Sequence, residues 1–143
     1  MKVANILVAK GRDVATISQE RSVTDALAML KERRIGALVV TGRDAPLAGI
    51  LSERDIVRAL AERGPDALDA TVAELMSTDL TTCSEETSVT ELMGLMTARR
   101  IRHVPVVVEG HVAGMISIGD VVKARLDELE TEKRDLIEYV SAR

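Results

Sequence analysis

A mixed α/β fold of the α+β class, built as two β-α-β-β-α repeats with an extended C-terminal helix, is what this sequence predicts. Three observations carry that prediction. Short β-rich apolar runs alternate with stretches whose apolar residues recur at helical spacing. The pattern then occurs a second time at a constant offset: Ser22-Val23-Thr24-Asp25 returns as Ser88-Val89-Thr90-Glu91, and Arg33-Arg34-Ile35 returns as Arg99-Arg100-Ile101. Finally, one strand-turn-helix phrase is written twice, Gly49-Ile50-Leu51-Ser52-Glu53-Arg54-Asp55 and Gly114-Met115-Ile116-Ser117-Ile118-Gly119-Asp120, with the offset shortened by one residue after the hairpin.

Each repeat reads in the same order. A short strand comes first, Val14–Ile17 or Leu80–Cys83. A serine N-cap follows, Ser22 or Ser88, with an acid three residues on. The helix behind it places Val23, Leu27 and Leu30, or Val89, Met93 and Met96, on one face. A β-rich run is next, Ala37–Thr41 or Val104–Val108. The turns Gly42–Pro46 and Glu109–His111 lead into a third strand, then into the Ser-x-x-Asp helix. Gly64-Pro65 should end the first of these helices. Asp66–Thr71 reads as a linker. Thr71–Met76 reads as a helical lead-in to the second repeat, and Val3–Leu7 as the lead-in to the first. The predicted domains are therefore residues 1–66 and 71–143. One three-stranded repeat alone would be marginal. Two packed with pseudo-twofold symmetry would bury their sheets and leave two clefts between them.

The last helix runs past the repeat. Val122, Leu126, Leu129, Leu136, Ile137 and Val140 keep helical spacing with charges between them, which predicts packing on a partner subunit; the alternative is a helix folded back on its own chain.

Composition narrows the function classes. The chain has 143 residues, 46% of them hydrophobic, and Tyr139 is its only aromatic residue. The core must be aliphatic, and no aromatic platform exists for stacking single-stranded bases. The net charge of −4 gives no general attraction to nucleic acid. No apolar run approaches a membrane span, and the N-terminal stretch is too short and too soon charged for a signal peptide. A single cysteine excludes an internal disulfide. The expectation is a cytoplasmic protein.

The Ser-x-x-Asp phrase places a hydroxyl, unpaired amides and a carboxylate at one helix N-terminus. Such a terminus suits an anion, and the carboxylate can accept from a ribose diol. The same phrase is also a capping box that needs no ligand. Both readings stand, and they can coexist.

With Arg34-Ile35-Gly36-Ala37-Leu38-Val39-Val40 and Arg100-Ile101-Arg102-His103-Val104-Pro105-Val106-Val107 added to these phrases, the chain resembles a tandem cystathionine-β-synthase (CBS) domain pair, the Bateman module, over about Val3 to Lys123. It is most similar to stand-alone bacterial proteins of that family. The resemblance implies a regulatory module that binds an adenine nucleotide between its repeats: AMP, ADP or ATP, and in some members NAD(H) or S-adenosylmethionine. It implies ribose binding by Asp55 and Asp120 and phosphate contacts from Ser52 and Ser117. By the same token Asp55 would share a cleft with Arg54, Thr81, Thr82, Arg102 and His103. Asp120 would share one with Ala15, Thr16, Gly36, Ala37 and Gly119. The first cleft would be the more basic and would take the more highly charged phosphate tail. Adenine would lie among Ile50, Leu51 and Val104. Lys10 could reach phosphate, although a lysine in a lead-in is ordinarily solvated.

Other residues carry less. His103 and His111 sit in no ligand set, so no metal is expected. Cys83 reads as a buried, inert thiol. No nucleophile–base pair or phosphate-cradling glycine loop suggests an enzyme, and no catalytic cofactor is implied. A homodimer and a regulated protein partner complete the expectation. The rival reading is a constitutive interaction scaffold in which the serine-aspartate phrases only cap helices.

Overall fold

A computed structural model describes residues 1–142 and divides the chain into two compact units. The first repeat forms one of them, from Asp13 to Thr81 together with 109–112. Its strands are β1 (Thr16–Ser18), β2 (Ala37–Thr41) and β3 (Gly49–Ser52), with β1 parallel and β3 antiparallel to the central β2. Two helices, α2 (Val23–Arg33) and α3 (Glu53–Arg63), flank the strands in sequence. Ile17, Val23, Leu30, Leu38, Val40, Leu51 and Ile56 fill the core between them. Val39 and Ile50, on the opposite sheet face, are buried as well.

The second repeat forms the other unit, with residues 1–12, 82–108 and 113 onward. Here α5 (Val89–Arg99) and α6 (Ile118–Ser141) accompany a hairpin of β4 (His103–Val108) and β5 (His111–Ser117). The strand expected at Leu80–Cys83 shrinks to a single parallel bridge, Cys83 to Val106. The cause is one residue. In the first repeat the Val39 N–H donates to the Ala15 carbonyl at 3.0 Å. Pro105 holds the matching place and has no N–H, so that rung cannot form.

The helix faces differ slightly from the expected ones. Ala26 and Leu92 are fully buried, while Leu27 and Met93 are only partly so. Both α2 and α5 stop at the repeated arginine pair. Arg34 and Arg100 each adopt a left-handed conformation with φ 54°, and their N–H groups return to the last turn. This is the helix-ending geometry that glycine usually supplies.

The two lead-ins are exchanged relative to their order in the sequence. The helix α1 (Val3–Lys10) buries Val3, Ile6 and Leu7 in the core of the second repeat. Its start is held by the Val3 N–H on the Thr87 carbonyl at 2.8 Å and the Val89 N–H on the Met1 carbonyl at 3.0 Å. The short helix α4 (Val72–Leu75) puts Val72 into the core of the first repeat, and Ser77 pairs with Ile50 along β3. Each exchanged segment is admitted by a glycine. A Cβ on Gly114 would sit 2.6 Å from a methyl of Leu7, and one on Gly49 would sit 2.8 Å from both the Met76 sulfur and the Ser77 carbonyl.

Two predictions follow from this packing. Leu7→Ala removes a wholly buried side chain and should cost about 2–5 kcal/mol in urea unfolding. Hydrogen exchange should then accelerate in α5 and β4 and stay unchanged in β1–β3. Acceleration in β1–β3 instead would show that α1 belongs to the first repeat. Arg100→Gly relieves the left-handed strain at a C-terminal cap and should add about 0.5–1 kcal/mol of stability, read as a higher melting temperature.

Candidate functional site

Each candidate site is built where the third strand of a repeat becomes a helix. In the first repeat Ser52 ends β3 in extended conformation and Asp55 is the third residue of α3. One Asp55 oxygen, Oδ2, accepts from the Ser52 N–H at 2.9 Å and from the Ser52 hydroxyl at 3.0 Å. The Ser52 Oγ in turn accepts from the Asp55 N–H at 3.4 Å. The other carboxylate oxygen, Oδ1, accepts from the Ser77 hydroxyl at 3.3 Å. Beside this turn runs the start of β2, where the Gly36 carbonyl accepts from the Glu53 N–H at 3.0 Å and Ala37 pairs with Ser52. On the far side of β2 lies β1, with Thr16 opposite Val39 and the Ala15 carbonyl bonded to it.

The second repeat reproduces the turn. Ser117 caps α6, its Oγ accepting from the Asp120 N–H at 3.2 Å, and Asp120 Oδ2 accepts from the Ser117 N–H at 2.9 Å. The Arg102 carbonyl accepts from the Ile118 N–H at 2.8 Å, as Gly36 does in the first repeat. Gly119 is exposed in the first turn of α6.

The two acids differ in what else they hold. Lys10, at the end of α1, places its ammonium 2.7 Å from Asp120 Oδ2 and also donates to the Met115 carbonyl at 2.7 Å. It is therefore more than a solvated lysine. Partial burial pushes the Asp120 carboxyl up. The hydrogen bond and charge of Lys10, with the Ser117 donors, more than offset that and hold it below the ordinary carboxylate range. Asp55 has a hydroxyl, Ser77, on Oδ1, whereas Asp120 has an ammonium, Lys10, on Oδ2, the oxygen that also accepts from the Ser117 N–H. Ser77 and Lys10 both come from the exchanged lead-ins. Their bonds to the acids had no signal in local spacing, because the segments that carry them pack on the repeat remote in sequence.

Unit by unit, Ser52, Arg54, Asp55, Ala15, Thr16, Gly36, Ala37 and Thr81 lie in the first, and Ser117, Gly119, Asp120, Thr82, Arg102 and His103 in the second. Arg54, Thr16, Thr82 and Arg102 are exposed, and His103 opens β4 half-buried. The lining expected for adenine needs correction. Leu51 and Val104 are fully buried in their own cores and Ile50 is only 8% exposed, so none offers an open apolar wall. Burial raises the Cys83 thiol to about 11, which leaves it protonated at neutral pH. Among the described residues no three His, Cys, Asp or Glu side chains gather as a metal set. No helix among them is long and apolar enough to cross a membrane.

The Lys10–Asp120 pair gives a signed prediction. A carboxyl lowered in the folded state adds stability above its unfolded value, about pH 4, and that stability is lost as pH falls through the folded value. Asp120→Asn should therefore flatten the loss of stability on acidification below about pH 4. Lys10→Met should do the same and cost about 1 kcal/mol or less at neutral pH, since both groups are partly solvated. Acid unfolding curves of the variants that superimpose on the parent's would show that the pair is not formed in solution.

Comparison with known proteins adds to this geometry. The family model of the CBS domain matches residues 7–62 and again 72–127. The chain is 34% identical to the mitochondrial CBS domain-containing protein CBSX3 of Arabidopsis thaliana, over 96% of this chain and 71% of that protein. Among solved structures, a CBS-domain containing protein of Agrobacterium tumefaciens superposes with a TM-score of 0.84 at 44% identity, covering 87% of this chain and 92% of that one. The CBS domain pair of protein MJ0100, solved in complex with 5′-methylthioadenosine and S-adenosyl-L-methionine, superposes with a TM-score of 0.78 at 25% identity, over 90% of this chain and 98% of that one.

Proposed function

Because this chain belongs to the CBS-domain family and carries the domain twice, we propose that it is a non-catalytic regulatory module whose ligand is an adenine nucleotide. AMP, ADP, ATP and NAD(H) are the candidate forms. The ribose diol is held by an aspartate at the head of α3 or α6, and phosphate is met by Ser52 or Ser117, the first-turn amides, and the basic side chains Arg54, Arg102 and His103. The remaining candidates, Ala15, Thr16, Gly36, Ala37, Thr81, Thr82 and Gly119, contribute backbone and small-residue surface. The adenosine ligands in the MJ0100 structure support the ligand class.

The observation that carries this reading is the state of Asp55. It is half-buried at a helix head, and among the described residues a serine hydroxyl at 3.3 Å engages its Oδ1. An ionised carboxylate oxygen has acceptor capacity for more than that. A ribose hydroxyl can add to or replace the Ser77 bond without uncovering a buried charge. At Asp120 the carboxylate's charge is already shared with the Lys10 ammonium, 2.7 Å from Oδ2, the oxygen that also accepts from the Ser117 N–H. The Asp55 site therefore binds more tightly than the Asp120 site. Ligand binding regulates by favouring one arrangement of the module over another, which requires unequal affinity for the two.

The alternative is a constitutive scaffold, and one observation favours it: both serine–aspartate pairs form complete capping boxes without any ligand. Thermal unfolding with AMP, ATP and NADH separates the two readings. A nucleotide at about a hundred times its dissociation constant should stabilise the fold by about 2.7 kcal/mol. Asp55→Ala should remove most of the shift and Asp120→Ala a smaller part. No shift with any adenine nucleotide supports the scaffold, and equal losses in the two variants contradict the ranking of the sites.

A further inference from the structure

The second half of α6 stands without cover from its own chain. Val121 and Ala124 are buried, but every residue from Leu129 to Ser141 is exposed. A free helical segment of that length is marginal in water. The exposed face is also patterned. Val122, Leu126, Leu129, Lys133, Leu136 and Val140 recur at alternating intervals of four and three, and the apolar ones are 45% to 64% exposed. That interval is the seam of a two-stranded coiled coil. The one polar residue, Lys133, falls at a core position that pins register and strand number at some cost in stability.

We infer that α6 pairs in parallel, from Val122 to Val140, with α6 of a second copy of this chain. Charge chooses both the occupant and the direction. In a parallel pair Lys133 faces the partner's Lys133 across the seam, each beside the other chain's Glu132, and the positions flanking the seam bring Arg125 to the partner's Glu130. Arg125 also bonds Glu128 of its own helix at 2.8 Å, and its guanidinium has donors enough for both. Among the described residues Glu130 has no ion pair within its own chain. The antiparallel arrangement that aligns the same apolar residues sets Glu130 against the partner's Glu130 and Glu132 against the partner's Glu132, an unfavourable match. The inference is independent of any nucleotide.

Sedimentation of the full chain tests it, alongside disulfide trapping. The parent should sediment as a dimer of the 15.5 kDa chain. Leu129→Glu combined with Leu136→Glu, both at exposed positions, should give a folded monomer. Lys133→Ile should tighten association roughly tenfold. Leu136→Cys alone should form a linked dimer on mild oxidation; the native thiol is buried and does not compete. A monomer at every concentration up to hundreds of micromolar overturns the inference. So does a dimer indifferent to the double substitution. Linkage that appears only on mixing Leu126→Cys with Leu136→Cys overturns the parallel direction.

Discussion

The fold turns on what a serine and an aspartate do at the end of a strand. A helix begins with donors that have no partner in the helix, and Ser52 and Ser117 each satisfy one of them. The acid three residues on satisfies the serine's own N–H in return. This reciprocal pair fixes the angle at which α3 and α6 leave their strands. It also holds a carboxylate, half in solvent, beside amides and a helix dipole that favour negative charge. The same atoms that stop the strand are those to which the proposed function assigns the sugar, and a structural role for the acids does not compete with that one.

The exchange of lead-ins decides how the two places differ. Since α1 packs on the second repeat, its terminal lysine reaches Asp120; since α4 packs on the first, Ser77 reaches Asp55. An ammonium on Oδ2 of one acid and a hydroxyl on Oδ1 of the other thus distinguish the two halves of a duplicated design. The duplication alone would make the two acids' surroundings equal, and these two residues break that equality. Gly49 and Gly114 make the exchange possible by leaving no Cβ where the incoming chain passes.

Much of the architecture was legible because repetition supplies its own check. The strand Ala37–Thr41 and the serine caps were read from local chemistry seen twice, and the helix stop at Gly64 from a glycine–proline pair seen once. Cys83 was readable as inert from its apolar setting. What was not legible depends on partners distant in sequence. Nothing local says which repeat a short amphipathic lead-in covers, so the Lys10–Asp120 pair was hidden. The missing rung at Pro105 could have been foreseen from aligning it with Val39, since proline has no donor. Leu51 and Val104 misled because an apolar residue in a strand beside a site serves the core first.

The account's central claim is that Asp55 holds the ribose of an adenine nucleotide while still closing its own helix. The structure of the protein crystallised with AMP tests this most directly. It should show both ribose hydroxyls within hydrogen-bond distance of the Asp55 carboxylate, with the Ser52 N–H bond retained. Crystals grown in saturating AMP that show no nucleotide there, and Asp55 still closed on Ser52 and Ser77, would contradict it.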